Sequence, residues 1–358
     1  MEKEQKKKYI QIIILGFCIL VLGISIIFSS SITSTIKNAL YRGGISASKG
    51  DLVVHFINVG QGDAIAINFP NQQVMLIDAG PKDMQNATVE YIKNNVLGSN
   101  KKLVIDYLIL THPDIDHSGG VSAIFSEFDV KNFYRPNIAC ESENASIFAM
   151  QSELNEYNEL IDLSTKEKDL IVNIMDKEYS FYIGKALVEV FSPLKAYSTF
   201  NEMSPIVKVS YKDRSFLFTG DISSDVESDM IDYYGEKLDA DVLKVAHHGS
   251  DGSTSEGFVN IVSPQYSVIS VGVNSYGHPD FEVVTRLQNA GSQILTTINK
   301  NAIRFVCNDD GVKVIGENKI ISFEFVSWWV IALFIIIIIA TILLKRVFEL
   351  IKYIKDKT

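Results

Sequence analysis

Between Thr111 and His117 the chain reads Thr-His-Pro-Asp-Ile-Asp-His, so two imidazoles and two carboxylates occur within six consecutive positions. Divalent cations need neutral or deprotonated donors converging at roughly 2.0–2.2 Å, and His with Asp supplies them without redox liability. Two further loops bring the same residue types, Thr219-Gly220-Asp221 and His247-His248-Gly249-Ser250. A fourth, Tyr276-Gly277-His278-Pro279, follows another apolar run and could reach the same edge. Five of the six histidines fall in these loops, and packing alone does not explain that clustering. The sixth, His55, lies within a strand-like run and reads as a satisfied structural residue.

His112 and Asp116 are four apart, the spacing of a helical turn, but Pro113 favours an extended loop whose splayed side chains could feed two neighbouring ions. Asp221 follows a glycine that permits close approach. A carboxylate between two cations can use both oxygens, which makes Asp221 the bridging candidate. It would also suit the N-cap of a helix over 222–233, and only its company favours metal. Neighbouring side chains at a strand end point opposite ways, so one of His247 and His248 can ligate while the other faces substrate. His247 is assigned to metal and His248 to catalysis, with His278 as a further proton-transfer candidate.

The elements that must position these loops follow from apolar periodicity. Strand-like runs at 52–58, 64–69 and 74–77, separated by Gly60-Gln61-Gly62-Asp63 and Pro70-Asn71, predict a meander. A helix over 87–95, a strand over 105–110, a helix from about Gly119 and a strand near 130–134 follow, then a polar, helix-compatible stretch over 141–162. A second strand-rich block begins near Leu170 and includes 179–183, 186–191, 206–211 and 215–218, the last two flanking Lys212-Asp213-Arg214 as a hairpin. Helices over 224–233, 256–261 and 281–289 then alternate with strands over 241–246, 266–271 and 294–298. Two successive blocks of this kind imply two sheets packed face to face with helices outside.

The 358 residues carry a net charge of −10, which argues against a broad polyanion-binding face and leaves any nucleic-acid substrate to local basic groups or metals. Apolar stretches at 10–28 and 325–344 are flanked by Lys3, Lys6, Lys7 and Lys8 and by Lys345, Arg346 and Lys352. They read as two transmembrane helices with both termini cytoplasmic and the intervening chain extracellular, at the cell membrane. The expected organisation is a tail at 1–9, a span at 10–28, a linker at 29–50, a domain at 51–318, a span at 325–344 and a basic tail at 345–358. Three cysteines, Cys18, Cys140 and Cys307, allow at most one bridge in the domain, Cys140 to Cys307.

The set formed by 58–64 (Asn-Val-Gly-Gln-Gly-Asp-Ala), 76–80 (Leu-Ile-Asp-Ala-Gly), the 111–120 loop, Thr219–Asp221, His247–Ser250 and Tyr276–Pro279 resembles the metallo-β-lactamase superfamily. It looks most like the extracellular hydrolase domain of bacterial DNA-uptake competence channel proteins. The resemblance implies an α/β fold, a four-layer αββα sandwich, here flanked by the two expected transmembrane helices, with two divalent metal ions (zinc or manganese) at the sheet edges. Carried over by position, His112 and Asp114 would serve one ion, Asp116, His117 and His247 the other, and Asp221 both. Asp116 would also orient the nucleophile, Asp78 would organise ligands from behind, and Asp63 would shape the loop. Two departures matter: Asp114 stands where superfamily members commonly have His, and no His occurs between Ser118 and Gly220. Asn201 or Ser204 could substitute, and oxygen-rich donors shift preference toward manganese.

The implied function is a membrane-anchored metal-dependent hydrolase, a phosphodiesterase or nuclease using a metal-bound hydroxide, with His248 or His278 protonating the leaving oxygen. The alternatives are a phosphoesterase of a cell-envelope polymer and a non-catalytic metal-binding partner of a membrane channel. With two spans at most, the chain does not supply the multi-span conduit of the proteins it resembles.

Overall fold

Short runs of Val, Ile, Leu and Phe punctuated by Gly, Asn and Asp favour strands, because branched and aromatic side chains pack well on a pleated surface. The computed structural model describes residues 50–98, 103–138, 147–298 and 300–315. Its strands in chain order begin with β1 (Leu52–Ile57), β2 (Ile65–Asn68), β3 (Val74–Ile77), β4 (Val104–Ile109), β5 (Asp129–Pro136) and β6 (Ile171–Met175). Then come β7 (Tyr179–Ile183), β8 (Ala186–Phe191), β9 (Ile206–Tyr211), β10 (Arg214–Phe218), β11 (Val242–Lys244), β12 (Tyr266–Ile269) and β13 (Gln293–Thr296). The last are β14 (Ala302–Asn308) and β15 (Gly311–Ile315).

Among the described residues these form an eight-stranded sheet in the order β15-β14-β1-β2-β3-β4-β5-β6 and a seven-stranded sheet in the order β13-β12-β11-β10-β9-β8-β7. Side chains alternate between faces with period two, and the burial follows. Leu52, Val54, Phe56, Ile65, Ile67, Met75 and Ile77 of the first sheet meet Val188, Val190, Val207, Val209, Phe216 and Phe218 of the second in one core. The intervening Ala66, Val74 and Leu76 instead pack with Val89, Ile92, Val121 and Ile124 of the helices outside the first sheet. On the far side Leu217 and Leu243 pack with Val226, Met230, Phe258 and Leu287 of helices Ser224–Tyr234, Glu256–Val262 and Phe281–Asn289. The result is the expected αββα sandwich. Each fully buried aliphatic or aromatic side chain in it contributes about 1.5–3 kcal/mol.

Several expectations change in detail. The strand-rich block near Leu170 does not belong to one sheet, since β6 pairs parallel with β5 in the first sheet before β7 opens the second. After β13 the chain returns, and β14 pairs antiparallel with β1. Local pattern marks a strand, but its partner is chosen by the pairing edge available. The two transmembrane helices included in the expected fold are corrected: among the described residues no helix is long and apolar enough to cross a membrane. The stretches concerned, 10–28 and 325–344, lie outside the described residues, as does Cys140. Cys307 is buried and free. The chain divides into units Met1–Ile315 and Gly316–Thr358, of which the second is also outside the described residues.

The topology decides where chemistry can sit. Strands β3, β4 and β5 run parallel in the first sheet, and β10, β11, β12 and β13 in the second. Every loop singled out above leaves the C-terminal end of one of these strands or the turn between β1 and β2, the usual place for a ligand site in α/β sheets.

Candidate metal centre

Asp78 follows β3 in a left-handed conformation, φ 56°, and its amide donates to Ile109 O at 2.8 Å. The carboxylate thus turned inward accepts from Thr111 N at 2.8 Å, Thr111 Oγ1 at 2.7 Å and His117 Nδ1 at 2.8 Å. Because a carboxylate only accepts, Nδ1 carries a hydrogen and Nε2 is the nitrogen turned toward the sheet edge. Pro113 keeps His112 extended, but the chain then turns, so Asp116 and His117 sit on a short helix, Ile115–Ser118. Gly62, at φ 132°, lets the 60–63 turn close on this loop, with Asp63 N donating to Asp116 O at 3.2 Å.

In the second sheet, Gly220 at φ 54° places Asp221 behind β10, where a Cβ on residue 220 would come within 2.7 Å of the Ser204 Cβ. Ser223, not Asp221, is the N-cap of helix Ser224–Tyr234, which removes the capping role as the reason for Asp221. After β11 the backbone takes left-handed angles at two successive non-glycine residues, His247 (φ 47°) and His248 (φ 55°). Such conformations cost on the order of 1–3 kcal/mol each and persist where surrounding contacts impose them. They turn His248 inward: its Nδ1 donates to Ser270 O at 2.8 Å and its Nε2 is left facing the first sheet.

Four donors then converge. His117 Nε2 lies 3.3 Å from His248 Nε2 and 3.3 Å from Asp221 Oδ2. His248 Nε2 lies 3.2 Å from Asp221 Oδ2 and 3.3 Å from Asp116 Oδ2. Two ligands about 2.0 Å from one ion in tetrahedral geometry stand about 3.3 Å apart, so the triangle of His117, His248 and Asp221 fits three positions around a small divalent cation. Asp63, His117, Asp221 and His248, all buried, each bring a donor within 4.8 Å of the others. Beside this cup His112 Nε2 is buried with no hydrogen-bond partner among the described residues, and it faces Asp114 Oδ2 at 3.8 Å. A buried nitrogen left so costs about 1–3 kcal/mol, which a cation there would relieve.

The electrostatics point the same way. Burial depresses the His117 pKa, but the carboxylates of Asp221 and Asp78 outweigh it and hold it well above its ordinary value. Burial likewise opposes charge on His248, and Asp221 and Asp116 still raise it to about 9. Burial would raise Asp221, yet His248, His117 and Lys244 hold it well below the usual carboxylate range. This pocket demands positive charge, which protons or metal ions can provide.

A family model for the metallo-β-lactamase superfamily matches residues 57–273. The chain belongs to that superfamily. Its fold and its buried group of Asp and His side chains support metal-dependent hydrolysis. The chain is 26% identical over 292 residues to ComE operon protein 3 of Bacillus subtilis, covering 77% of this chain and 35% of that protein. It is 26% identical over 257 residues to Competence protein ComA of Neisseria gonorrhoeae (72% and 32%) and 26% identical over 259 residues to Recombination protein 2 of Haemophilus influenzae (72% and 29%). The chain therefore spans about a third of the length of the curated relatives it matches. Among solved structures it is similar to the metallo-β-lactamase fold protein YhfI of Bacillus subtilis, at 12% identity and TM-score 0.45, over 72% of this chain and 100% of that one. Zinc-bound PqqB of Methylobacterium extorquens gives 11% identity and TM-score 0.45, over 71% and 99%.

Of the residues singled out in the sequence, Asp63, Asp78, Asp116, His117, Asp221 and His248 meet in or against the cup, with His112 and Asp114 beside it. His247 is not in the cup. Its Nε2 lies 3.4 Å from Asn201 Nδ2, and its ring is 5.8 Å from that of His278, on which Tyr276 stacks at 5.7 Å. Ser204 Oγ meets His112 on its Nδ1 side, at 3.2 Å, away from the nitrogen that faces Asp114. Sequence reasoning missed Lys244. It is fully buried, paired with Asp63 Oδ2 and 3.2 Å from Asp221 Oδ1, so the second oxygen of Asp221 is taken by the chain itself. The signal was present: a lysine inside the apolar run 242–246 must be paired when that run is buried.

Proposed function

We propose that this chain is a metal-dependent phosphodiesterase that acts on nucleic acid. The observation that carries the reading is the triangle of His117 Nε2, His248 Nε2 and Asp221 Oδ2, 3.2–3.3 Å on each side, at the meeting edge of the two sheets, with Asp116 Oδ2 3.3 Å from His248 Nε2. Those three residues with Asp116 would hold one ion, and His112 and Asp114 beside them a second, with zinc or manganese the candidates. His248 thus takes the ligand role first given to His247. Bound divalent ions would supply Lewis acidity toward a phosphoryl oxygen and lower the pKa of water. Asp116, half-buried where the other donors are buried, orients the attacking water. His278, half-buried beside His247, is the group left to move a proton at the leaving oxygen. Similarity to proteins named for competence and recombination supports nucleic acid as the substrate.

The test uses the full chain, stripped by chelator and reloaded with Mn²⁺ or Zn²⁺, on single-stranded DNA, a simple aryl phosphodiester and a β-lactam. The expected result is metal-dependent cleavage of both phosphate compounds and none of the β-lactam. Turnover of the β-lactam alone would overturn the reading.

A further inference from the structure

Lys244 ends β11 inside the carboxylate-rich edge of the sandwich and is 1% exposed. Its ammonium pairs with Asp63 Oδ2, meets Asp221 Oδ1 at 3.2 Å and donates to Gly220 O at 3.0 Å. The other oxygen of Asp221 points away from it, 3.3 Å from His117 Nε2 and 3.2 Å from His248 Nε2. One carboxylate is therefore divided between a cation fixed in the chain and the donor cup. Asp63, although buried among the same donors, has one oxygen committed to that cation.

We infer that Lys244 is a built-in counter-charge that withholds Oδ2 of Asp63 and Oδ1 of Asp221 from the cup and so sets how tightly the cup holds a divalent ion. This rests on the metal-binding reading of the cup. Its distinguishing feature is the sign of two substitutions. If the lysine only stabilised the fold, removing either partner would leave an uncompensated buried charge, and both changes would weaken the site. If it tunes the cup, Lys244→Met removes a positive charge facing the ion and releases Oδ2 of Asp63, which strengthens binding. Asp63→Asn leaves the ammonium to draw on Asp221 alone, which weakens binding. The double variant removes one charge of each sign and returns close to wild type.

The experiment is calorimetric titration of the full, metal-stripped chain with Mn²⁺ and, separately, Zn²⁺ at one pH. The expected result is Lys244→Met tighter by at least about tenfold, Asp63→Asn weaker by at least about tenfold and the double variant within about threefold of wild type. Both single variants weaker, or neither changed, in the presence of normal wild-type binding would overturn the inference. Should Lys244→Met fail to fold, the double variant decides, since it carries no unpaired charge from this pair: binding recovered relative to Asp63→Asn supports the inference, and binding weaker still overturns it. A wild-type chain that takes up neither ion would overturn the metal reading itself, and this inference with it.

Discussion

On the first sheet the 111–117 loop is held by hydrogen bonds: three donors converge on Asp78, Ser118 Oγ donates to Pro113 O at 2.6 Å, and Gly120 N donates to Gly80 O at 2.8 Å. On the second sheet the equivalent loop combines left-handed backbone at His247 and His248 with main-chain hydrogen bonds, His247 N to Gly220 O at 3.3 Å, Ser250 N to His247 O at 2.9 Å and Asp280 N to Gly249 O at 2.8 Å, and His248 Nδ1 donates to Ser270 O at 2.8 Å. The first half therefore presents its imidazole through an acceptor that can be deleted by one substitution. The second presents its imidazole through left-handed backbone and a main-chain acceptor, Ser270 O, that a substitution does not delete. The two halves therefore fail differently, one by losing a side-chain acceptor and the other by relaxing its backbone.

The largest effect should come from splitting the two adjacent histidines. His248→Ala is expected to lower metal-dependent turnover by about a thousandfold or more and to reduce bound metal, while His247→Ala costs roughly tenfold with metal content kept, as scaled from removal of groups that act directly on the reaction. Metal analysis alongside the rate measures both. Equal losses of metal in the two variants would break the assignment of the inward role to His248.

Next comes the hydrogen-bonded half. Asp78→Ala removes the acceptor behind His117, and loss of such a partner typically costs about 10–100-fold in metal affinity. Competition with a coloured chelator reads this directly, and unchanged affinity would show that the loop holds His117 without Asp78. Gly62→Ala probes the approach of the 60–63 turn, because its Cβ would collide with the Asp116 carbonyl oxygen at a φ of 132° that suits only glycine. We expect a loss of about 1–3 kcal/mol in urea unfolding.

The smallest effect concerns a histidine outside the site, which sharpens what a buried imidazole means here. His55 is satisfied by Tyr91 Oη at 3.0 Å and Asn68 Oδ1 at 3.1 Å, and burial, with Arg304 nearby, pushes its pKa down to about 3. The unfolded chain gains a proton at His55 below pH 6.5 that the folded chain does not accept until about pH 3, so the contribution of this residue to stability is full above pH 6.5 and falls as pH drops toward 3. His55→Gln should flatten the difference between pH 7.5 and pH 5 by about 1–2 kcal/mol in urea unfolding. An unaltered slope would place the acid sensitivity elsewhere.

Much of this was legible in the residues. Short apolar, β-branched runs at 52–57, 206–211 and 215–218 marked the strands, and the residue types of the 111–117, 219–221 and 247–248 loops marked the chemistry, since strand-forming composition and ligand type are local properties. The structural role of His55 was legible too, from its place inside a strand. The return of β14 to β1 was not, because pairing depends on which edge is free rather than on the run of residues that pairs. Lys244 escaped notice because its partners, Asp63 and Asp221, lie far away in sequence.

By itself the sequence determined that donors of the right kind would stand at strand ends. It left open which of His247 and His248 turns inward, and whether Asp221 offers one oxygen or two. Those were decided by tertiary structure, for a physical reason: a side chain's direction at a loop depends on backbone angles, here left-handed at His247 and His248, and the Lys244 contacts join it to Asp221 behind the neighbouring strand and to Asp63 of the other sheet, segments distant in the chain.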